Sequence, residues 1–568
     1  MRQRSSQPTP TSSLAGASGA LALIDRRIGI LFIAFVALLA IALARAAYLG
    51  SVQAASLKRA AATQQVSDVI VPAPRGTITD RDGAELAISE SADDIVADPY
   101  LIKNPVSASA ELASALGIPQ LTMIKLLTEA HTGFVYLAHL VPAAQANTVA
   151  DMNIAGISLI PETRRVYPRG DEAAQVVGSV YLDGDGSSGI EYQYNNVLEG
   201  TNGLRRVVSD AIGQPISVDD LHAAVPGRTV ALTIDSGLQH EVERVLSQVG
   251  SEYSPQSATA IVTDPSTGAI LALANWRSSS AGSSAGPDDM AVGFSYEPGS
   301  TFKAVTVAGA LQDGLVTPST EFDIPPDLSF AANEPPIHDA EDHGYETLNV
   351  AGILKVSSNI GADLIGQRLG PQRFNYWVRR FGFGSPTRID LPGEGAGIVL
   401  SPSQYSGASM YNLPFGQGES VTPMQMIAAY DAIANGGVLR APHVVQSVGG
   451  EPTPLPPGHR IISASTASEL RDMLRGVFAD GGTASGAEIP GYDMAGKTGT
   501  ANIAIDGQYS DSAYVASFIG MVPTDHPGLV VAVVVNQPQG SIYGGSVAAP
   551  AFQQIVGWAV PYLGIPPR

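Results

Sequence analysis

The hydrophobic positions of the chain change period several times, and each change marks an element. Residues 28–44 carry no charge, and with Arg45 extending its guanidinium toward water the apolar run reaches Leu49. At the helical rise per residue, 28–49 covers about 33 Å, the thickness of a bilayer core. The pattern predicts a transmembrane helix over 28–49, preceded by a polar, arginine-bearing tail over 1–27 read as disordered. Arginines ahead of the span and few just after it predict a cytoplasmic N-terminus and a catalytic region outside the membrane. A signal peptide cut near Ala42, Ala44 or Ala47 is the competing reading, disfavoured because the apolar run is longer than the usual core of such peptides.

Residues 50–230 alternate short apolar segments with Gly and Pro turns, an α+β pattern, with helical periodicity at Ser107–Leu116 and Gln120–Glu129. Charged knots interrupt it at Arg75–Gly83, Arg164–Pro168 and Gly189–Glu191, where an ion-pair network is the expected use. The character changes near Arg228–Asp235. Ser236–Val249 reads as an amphipathic helix. Ala258–Val262 and Ala269–Asn275 then read as a hairpin around Pro265–Gly268, followed by a Ser/Gly-rich loop over 277–289, flexible by composition. Pro298-Gly299 announces a helix beginning near Ser300. A polar insert follows, and its Ile337–His343 stretch has no ligand spacing that would favour metal over solvent-exposed charge. A short helix, Leu348–Val356, stops at Ser357-Ser358-Asn359 before a second through Ile365. Phe415–Gly418 is a glycine turn, and Thr422–Gln425 is a capping box opening a helix to Ala434. Met494–Ala501, Ala513–Met521 and Leu529–Val535 read as successive antiparallel strands before a C-terminal helix over Val547–Val560.

Composition narrows the function. With 568 residues, 45% of them apolar, the chain can build several domains with real cores. A net charge of −21 excludes a basic nucleic-acid face, and the absence of cysteine excludes disulfides, thiol catalysis and cysteine metal sites. Lysine is rare, six of 32 basic residues, and three of those six are Lys303, Lys355 and Lys497. A chain that uses arginine for surface charge keeps lysine where a removable proton or compact ammonium is needed.

Those lysines fall in or beside three short motifs. Ser300 and Lys303 are three apart at a helix start, so they share a face and the amine can reach the hydroxyl. Serine needs a base, and lysine serves as one only when burial or a second cation lowers its pKa. Alone the pair is weak, since serine and lysine three apart occur on ordinary helices. Ser357-x-Asn359 and Lys497-Thr498-Gly499 complete an ordered set, and with Ser300-x-x-Lys303 they match the motifs of β-lactamases and penicillin-binding proteins. The sequence resembles the class B penicillin-binding transpeptidases over nearly its whole length. Gly189–Glu191, Phe381–Gly384, Asp390–Glu394 and Tyr543–Phe552 look most like the division-type, FtsI-like branch.

The resemblance implies an α+β protein: tail 1–27, transmembrane helix 28–49, non-catalytic pedestal 50–230, and transpeptidase domain 231–568 built on a five-stranded antiparallel sheet flanked by helices. It implies that the charged knots pack pedestal against catalytic domain. The expected chemistry is cross-linking of peptidoglycan stem peptides, with Ser300 attacking a D-Ala-D-Ala bond and β-lactams acylating the same residue. In that scheme Lys303 is the base and Ser357 relays a proton to the leaving amine. Asn359 holds Lys303 and the substrate amide, and Lys497, Thr498 and Thr500 take the terminal carboxylate. Gly499 lets the peptide approach, and the N–H groups of Ser300 and Thr500 form the oxyanion hole. No cofactor or metal is implied, since the zinc site of some elongation-type relatives uses a cysteine. A membrane glycosyltransferase of the SEDS family and other division proteins are the implied partners. The alternatives are an elongation-type transpeptidase, a serine β-lactamase or penicillin sensor, a hydrolytic carboxypeptidase, and a non-enzymatic division scaffold. Class D β-lactamases also suit Ser-Thr-Phe-Lys but carry valine or a similar residue where Asn359 stands, and they need no pedestal.

Overall fold

The structure, a computed structural model, describes residues 17–53, 66–129, 132–209, 215–278, 289–329, 336–505 and 507–567. The predicted flexible stretch of 277–289 falls largely outside them, as do residues 1–16 of the predicted tail. Contacts divide the chain into two bodies, Met1–Val71 with Gly203–Ala223, and Pro72–Asn202 with Ala224–Arg568.

In the first body the apolar helix runs from Ala17 to Ser51, and its 26-residue stretch Arg26–Ser51 is long and apolar enough to cross a membrane. Its start corrects the reading of 1–27 as disordered throughout, because Ala and Leu dominate 17–23 and favour helix continuous with the span. Ile30, Phe32, Phe35 and Leu38 project outward, as a helix apolar on all sides requires when lipid is its solvent. Val66–Val71, Gly203–Ser209 and Pro215–His222 form a three-stranded antiparallel sheet, with Arg206 bidentate on Asp68 at 2.8 and 3.0 Å.

The second body joins pedestal segments to the catalytic region through one sheet. Ile78–Thr79 pairs in parallel with Val230–Leu232 and antiparallel with Glu85–Ala97, while Val230–Leu232 also pairs with Val445–Val448. The charged knots meet around one carboxylate. Glu191, fully buried, receives Arg75 Nε at 2.5 Å and Arg165 Nε at 2.6 Å. Arg75 also donates to Asn195 Oδ1 at 2.7 Å and to the carbonyl of Glu191 at 2.7 Å. All these partners are pedestal residues, so this network ties pedestal segments to one another. The expected packing against the catalytic region is made by the backbone of the first knot, where Arg81 N donates to the carbonyl of Ile234 at 2.9 Å, and by Ala173 N, which donates to Glu243 Oε1 at 2.8 Å.

The catalytic region follows the predicted order, with the helix α6 added to it: α1 (Ser236–Tyr253), hairpin β1 (Ser257–Asp264) and β2 (Ala269–Arg277), α2 (Lys303–Gln312), α3 (Val350–Val356), α4 (Asn359–Arg380), α5 (Pro423–Ala434), α6 (Ala464–Arg475), β3 (Ala495–Ile505), β4 (Gln508–Val522), β5 (Leu529–Asn536) and α7 (Gly544–Tyr562). The five strands are all antiparallel, in the order β2-β1-β5-β4-β3, so β3 is an edge. Both faces of the sheet are covered, which is why its strands read as continuous apolar runs. On β5, Val531, Val533 and Val535 pack with α1 and α7, whereas Val530, Ala532 and Val534 face the core that holds α2, α4 and α5. The predicted capping box of α5 is formed: Thr422 Oγ1 accepts from Gln425 N at 3.1 Å and Gln425 Oε1 from Thr422 N at 2.9 Å. α4 extends beyond the expected Ile365, with non-helical Gly370 (φ 69°) and Pro371 marking a kink rather than an end.

Candidate active site

Three elements converge at edge strand β3. Pro298 and Gly299 turn the chain into a short 3-10 stretch, Gly299–Phe302, that leads directly into α2, and Ser300 sits half-buried there. Gly299 has φ +55° and donates its N–H to Gly416 O at 2.9 Å, and a Cβ on it would lie 3.0 Å from Thr500 O. Close approach to β3 therefore requires glycine. From the other side, a Cβ on Gly499 would stand 2.3 Å from Ser517 Oγ and 3.0 Å from Thr301 Cγ2, so packing demands this glycine independently of any ligand. Tyr430, fully buried on α5, donates to Thr301 O at 2.8 Å and fixes the turn from below.

Lys303 is fully buried. Its Nζ donates to Ser357 O at 2.5 Å and Asn359 Oδ1 at 2.7 Å, and lies 3.3 Å from Ser357 Oγ. The expected direct bond to Ser300 Oγ is not among the hydrogen bonds of the described residues, because the α3–α4 turn engages the amine instead. That turn is shaped for the purpose. Ser357 closes α3 in the left-handed region at φ +64°, a conformation costing a non-glycine residue about 1–2 kcal/mol, and it presents both its carbonyl and its hydroxyl to the lysine. Asn359 is oriented by His338 O, which accepts from its Nδ2 at 2.9 Å and leaves Oδ1 facing Lys303. Lys497, also fully buried, sits opposite Ile519 in the β3–β4 register and therefore projects onto the face that carries α2. Its Nζ donates to Ser357 Oγ at 2.8 Å.

The Ser357 hydroxyl thus stands between two buried amines. Burial lowers Lys303 to about 7, opposed by the nearby carboxyls Asp339 and Asp363. Burial, then the charge of Lys303, lowers Lys497 well below the ordinary lysine range. A site that forces one of two lysines to shed its proton can supply a neutral amine as base and an ammonium as anion anchor at neutral pH. Thr498 Oγ1 lies 3.3 Å from Lys497 Nζ and 2.7 Å from Thr483 Oγ1, and Thr500 Oγ1 accepts from Gly544 N at 3.1 Å. Ser300, Lys303, Ser357, Asn359, Lys497, Thr498, Gly499 and Thr500 are all brought together.

Residues 258–557 match the penicillin binding protein transpeptidase domain, and residues 70–232 the penicillin-binding protein dimerisation domain. The chain is 33% identical to penicillin-binding protein PbpB of Mycolicibacterium smegmatis over 94% of its own length and 90% of that protein's. It belongs to the class B penicillin-binding proteins. Its identity to peptidoglycan D,D-transpeptidase FtsI of Escherichia coli is 33%, covering 90% of this chain and 86% of FtsI. Among solved structures, penicillin-binding protein 3 of Mycobacterium tuberculosis complexed with aztreonam superposes with a TM-score of 0.68 at 30% identity, covering 88% of this chain and 98% of that one.

Within this class B site, several participants escape a reading of motifs. Asp339, in the insert expected to be solvent-exposed charge, is largely buried, and its Oδ1 accepts from Asn359 N at 2.5 Å and Ile360 N at 3.0 Å, capping α4 at the catalytic turn. The available signal was the helix start itself: α4 needs acceptors for its first N–H groups, and Ser358 Oγ satisfies only that of Gly361, at 2.8 Å. His343 pairs with Asp339 Oδ2 at 3.2 Å, while exposed His338 pairs with Asp327 at 2.6 Å. Thr483 and Asp363 carried no sequence signal.

Proposed function

We propose that this protein is a peptidoglycan D,D-transpeptidase acting through a Ser300 acyl-enzyme, with Lys303 as general base. The observation that supports it most is the convergence of two buried amines on the Ser357 hydroxyl. Neutral Lys303 takes the Ser300 proton as Oγ bonds to the carbonyl carbon of the penultimate D-Ala, and the N–H groups of Ser300 and Thr500 receive the oxyanion. The C–N bond then breaks as Ser357 gives its proton to the leaving D-Ala amine and recovers one from Lys303. An amine from a second stem peptide attacks the ester, its proton passes to Lys303, and Ser300 regains its hydroxyl. The substrate's terminal carboxylate raises the proton affinity of Lys497, so it binds the ammonium form, with Thr498 and Thr500 donating hydroxyl hydrogens. That carboxylate supplies the negative charge Lys497 otherwise lacks. Free edge strand β3 suits an extended peptide.

The finer reading is a septal enzyme of the FtsI-like branch, inhibited covalently by β-lactams and anchored by 28–49. Its N-terminus is cytoplasmic, its pedestal spans 50–230, and residues 231–568 carry the reaction outside the membrane. A SEDS-family glycosyltransferase and other division proteins are its partners. The test is fluorescent-penicillin labelling of wild type and Ser300→Ala in cells, scored for adduct and position, with cross-link formation measured beside it. Loss of both adduct and cross-links in Ser300→Ala is expected. Cross-linking that survives the substitution would support a scaffold, rapid penicillin turnover a β-lactamase, and D-Ala release without an acceptor a carboxypeptidase.

A further inference from the structure

Asp363 lies one helical turn beyond Asn359 on α4, so the two side chains share a face, and Asn359 Oδ1 is 2.7 Å from Lys303 Nζ. The Asp363 side chain is fully buried, and among the described residues neither carboxyl oxygen has a hydrogen-bond partner. A buried carboxyl without partners opposes folding. Leucine on the same helix face would avoid that cost, so the carboxyl calls for a role other than packing.

Its electrostatic neighbours are the active-site groups: Lys303 on α2 and Asp339 in the insert, with Lys497 coupled to Lys303 from β3 and His343 paired to Asp339. We propose that Asp363 is a positioning residue for the general base, the buried counter-group that shares a proton with Lys303. This rests on the role given to Lys303 above. The burial of Asp363 beside a second carboxyl raises its own proton affinity, to about 9, so lysine and aspartate form a coupled pair. In the resting state the pair holds one proton between them, as ammonium and carboxylate or as amine and carboxylic acid. The second arrangement frees the Lys303 lone pair without loss of a proton to solvent. When the Ser300 proton arrives the pair carries two protons and one positive charge, balancing the oxyanion, and it returns to one when the leaving amine is protonated.

The test is the rate of acylation of the full-length protein by a fluorescent penicillin across pH 5–10, for wild type and Asp363→Asn, with thermal unfolding of each. The acidic limb should stay within about half a pH unit of wild type, because the carboxyl is protonated and neutral there, and the fall in rate that loss of the pair's remaining proton brings near pH 9 in wild type should be absent. Labelling between pH 7 and 8 should stay within about threefold, and unfolding should shift little, since a buried amide replaces a buried neutral carboxyl. A fall near pH 9 that persists in Asp363→Asn or is missing from wild type, or an acidic limb that moves by a full unit, overturns the role of Asp363 while leaving Ser300 catalysis standing. Labelling that survives Ser300→Ala would instead remove the mechanism itself. If Asp363→Asn does not accumulate folded, Asp363→Ser is measured in the same way.

Discussion

Replacing Lys497 with Met tests the electrostatics of the site, because it removes one of the two amines and keeps an unbranched chain of similar length. Both amines contact Ser357 Oγ, at 3.3 Å for Lys303 and 2.8 Å for Lys497, so the two nitrogens are at most about 6.1 Å apart. Two unit charges at that separation, with an effective dielectric near 20, repel by about 2.7 kcal/mol, equivalent to about two pH units. Burial lowers Lys303 to about 7, and wherever bound substrate holds Lys497 as an ammonium, its charge opposes a second one on Lys303. Removing that charge should therefore raise its midpoint, by at most about two pH units. At pH 7 the neutral fraction of Lys303 then falls by at most about fiftyfold, and acylation slows in proportion. Single-turnover acylation at saturating penicillin from pH 6 to 10 separates this from weaker carboxylate binding, which alters the concentration dependence rather than the midpoint. An acidic limb that stays near pH 7 would refute the reasoning, since it would mean that Lys497 sheds its proton first and exerts no field on Lys303.

Two further substitutions probe the supports of the site. Asp339→Ala leaves the N–H groups of Asn359 and Ile360 without their acceptor, which should cost about 2 kcal/mol of stability in denaturant unfolding and lower plateau acylation as Asn359 loses its orientation. Glu191→Ala leaves the Arg75 and Arg165 guanidiniums buried together, and should destabilise the pedestal by about 3–5 kcal/mol. Its signature is a lowered unfolding midpoint with normal penicillin labelling of the protein that remains folded.

The sequence by itself determined the elements and the chemical vocabulary. Apolar continuity over 28–49, the Thr422–Gln425 capping box, the Pro265–Gly268 hairpin and the three motifs around Ser300, Ser357 and Lys497 are local facts, fixed by propensity, capping and spacing within a few residues. Tertiary structure decided what those residues face. That Lys303 bonds to the Ser357 turn depends on a left-handed serine held between two helices. The roles of Asp339, Thr483 and Asp363 arise from contacts across 15 to 60 residues, for which no local period exists. The low proton affinity of the two lysines is likewise a property of burial, since a lysine in water holds its proton to about pH 10 whatever its neighbours in sequence.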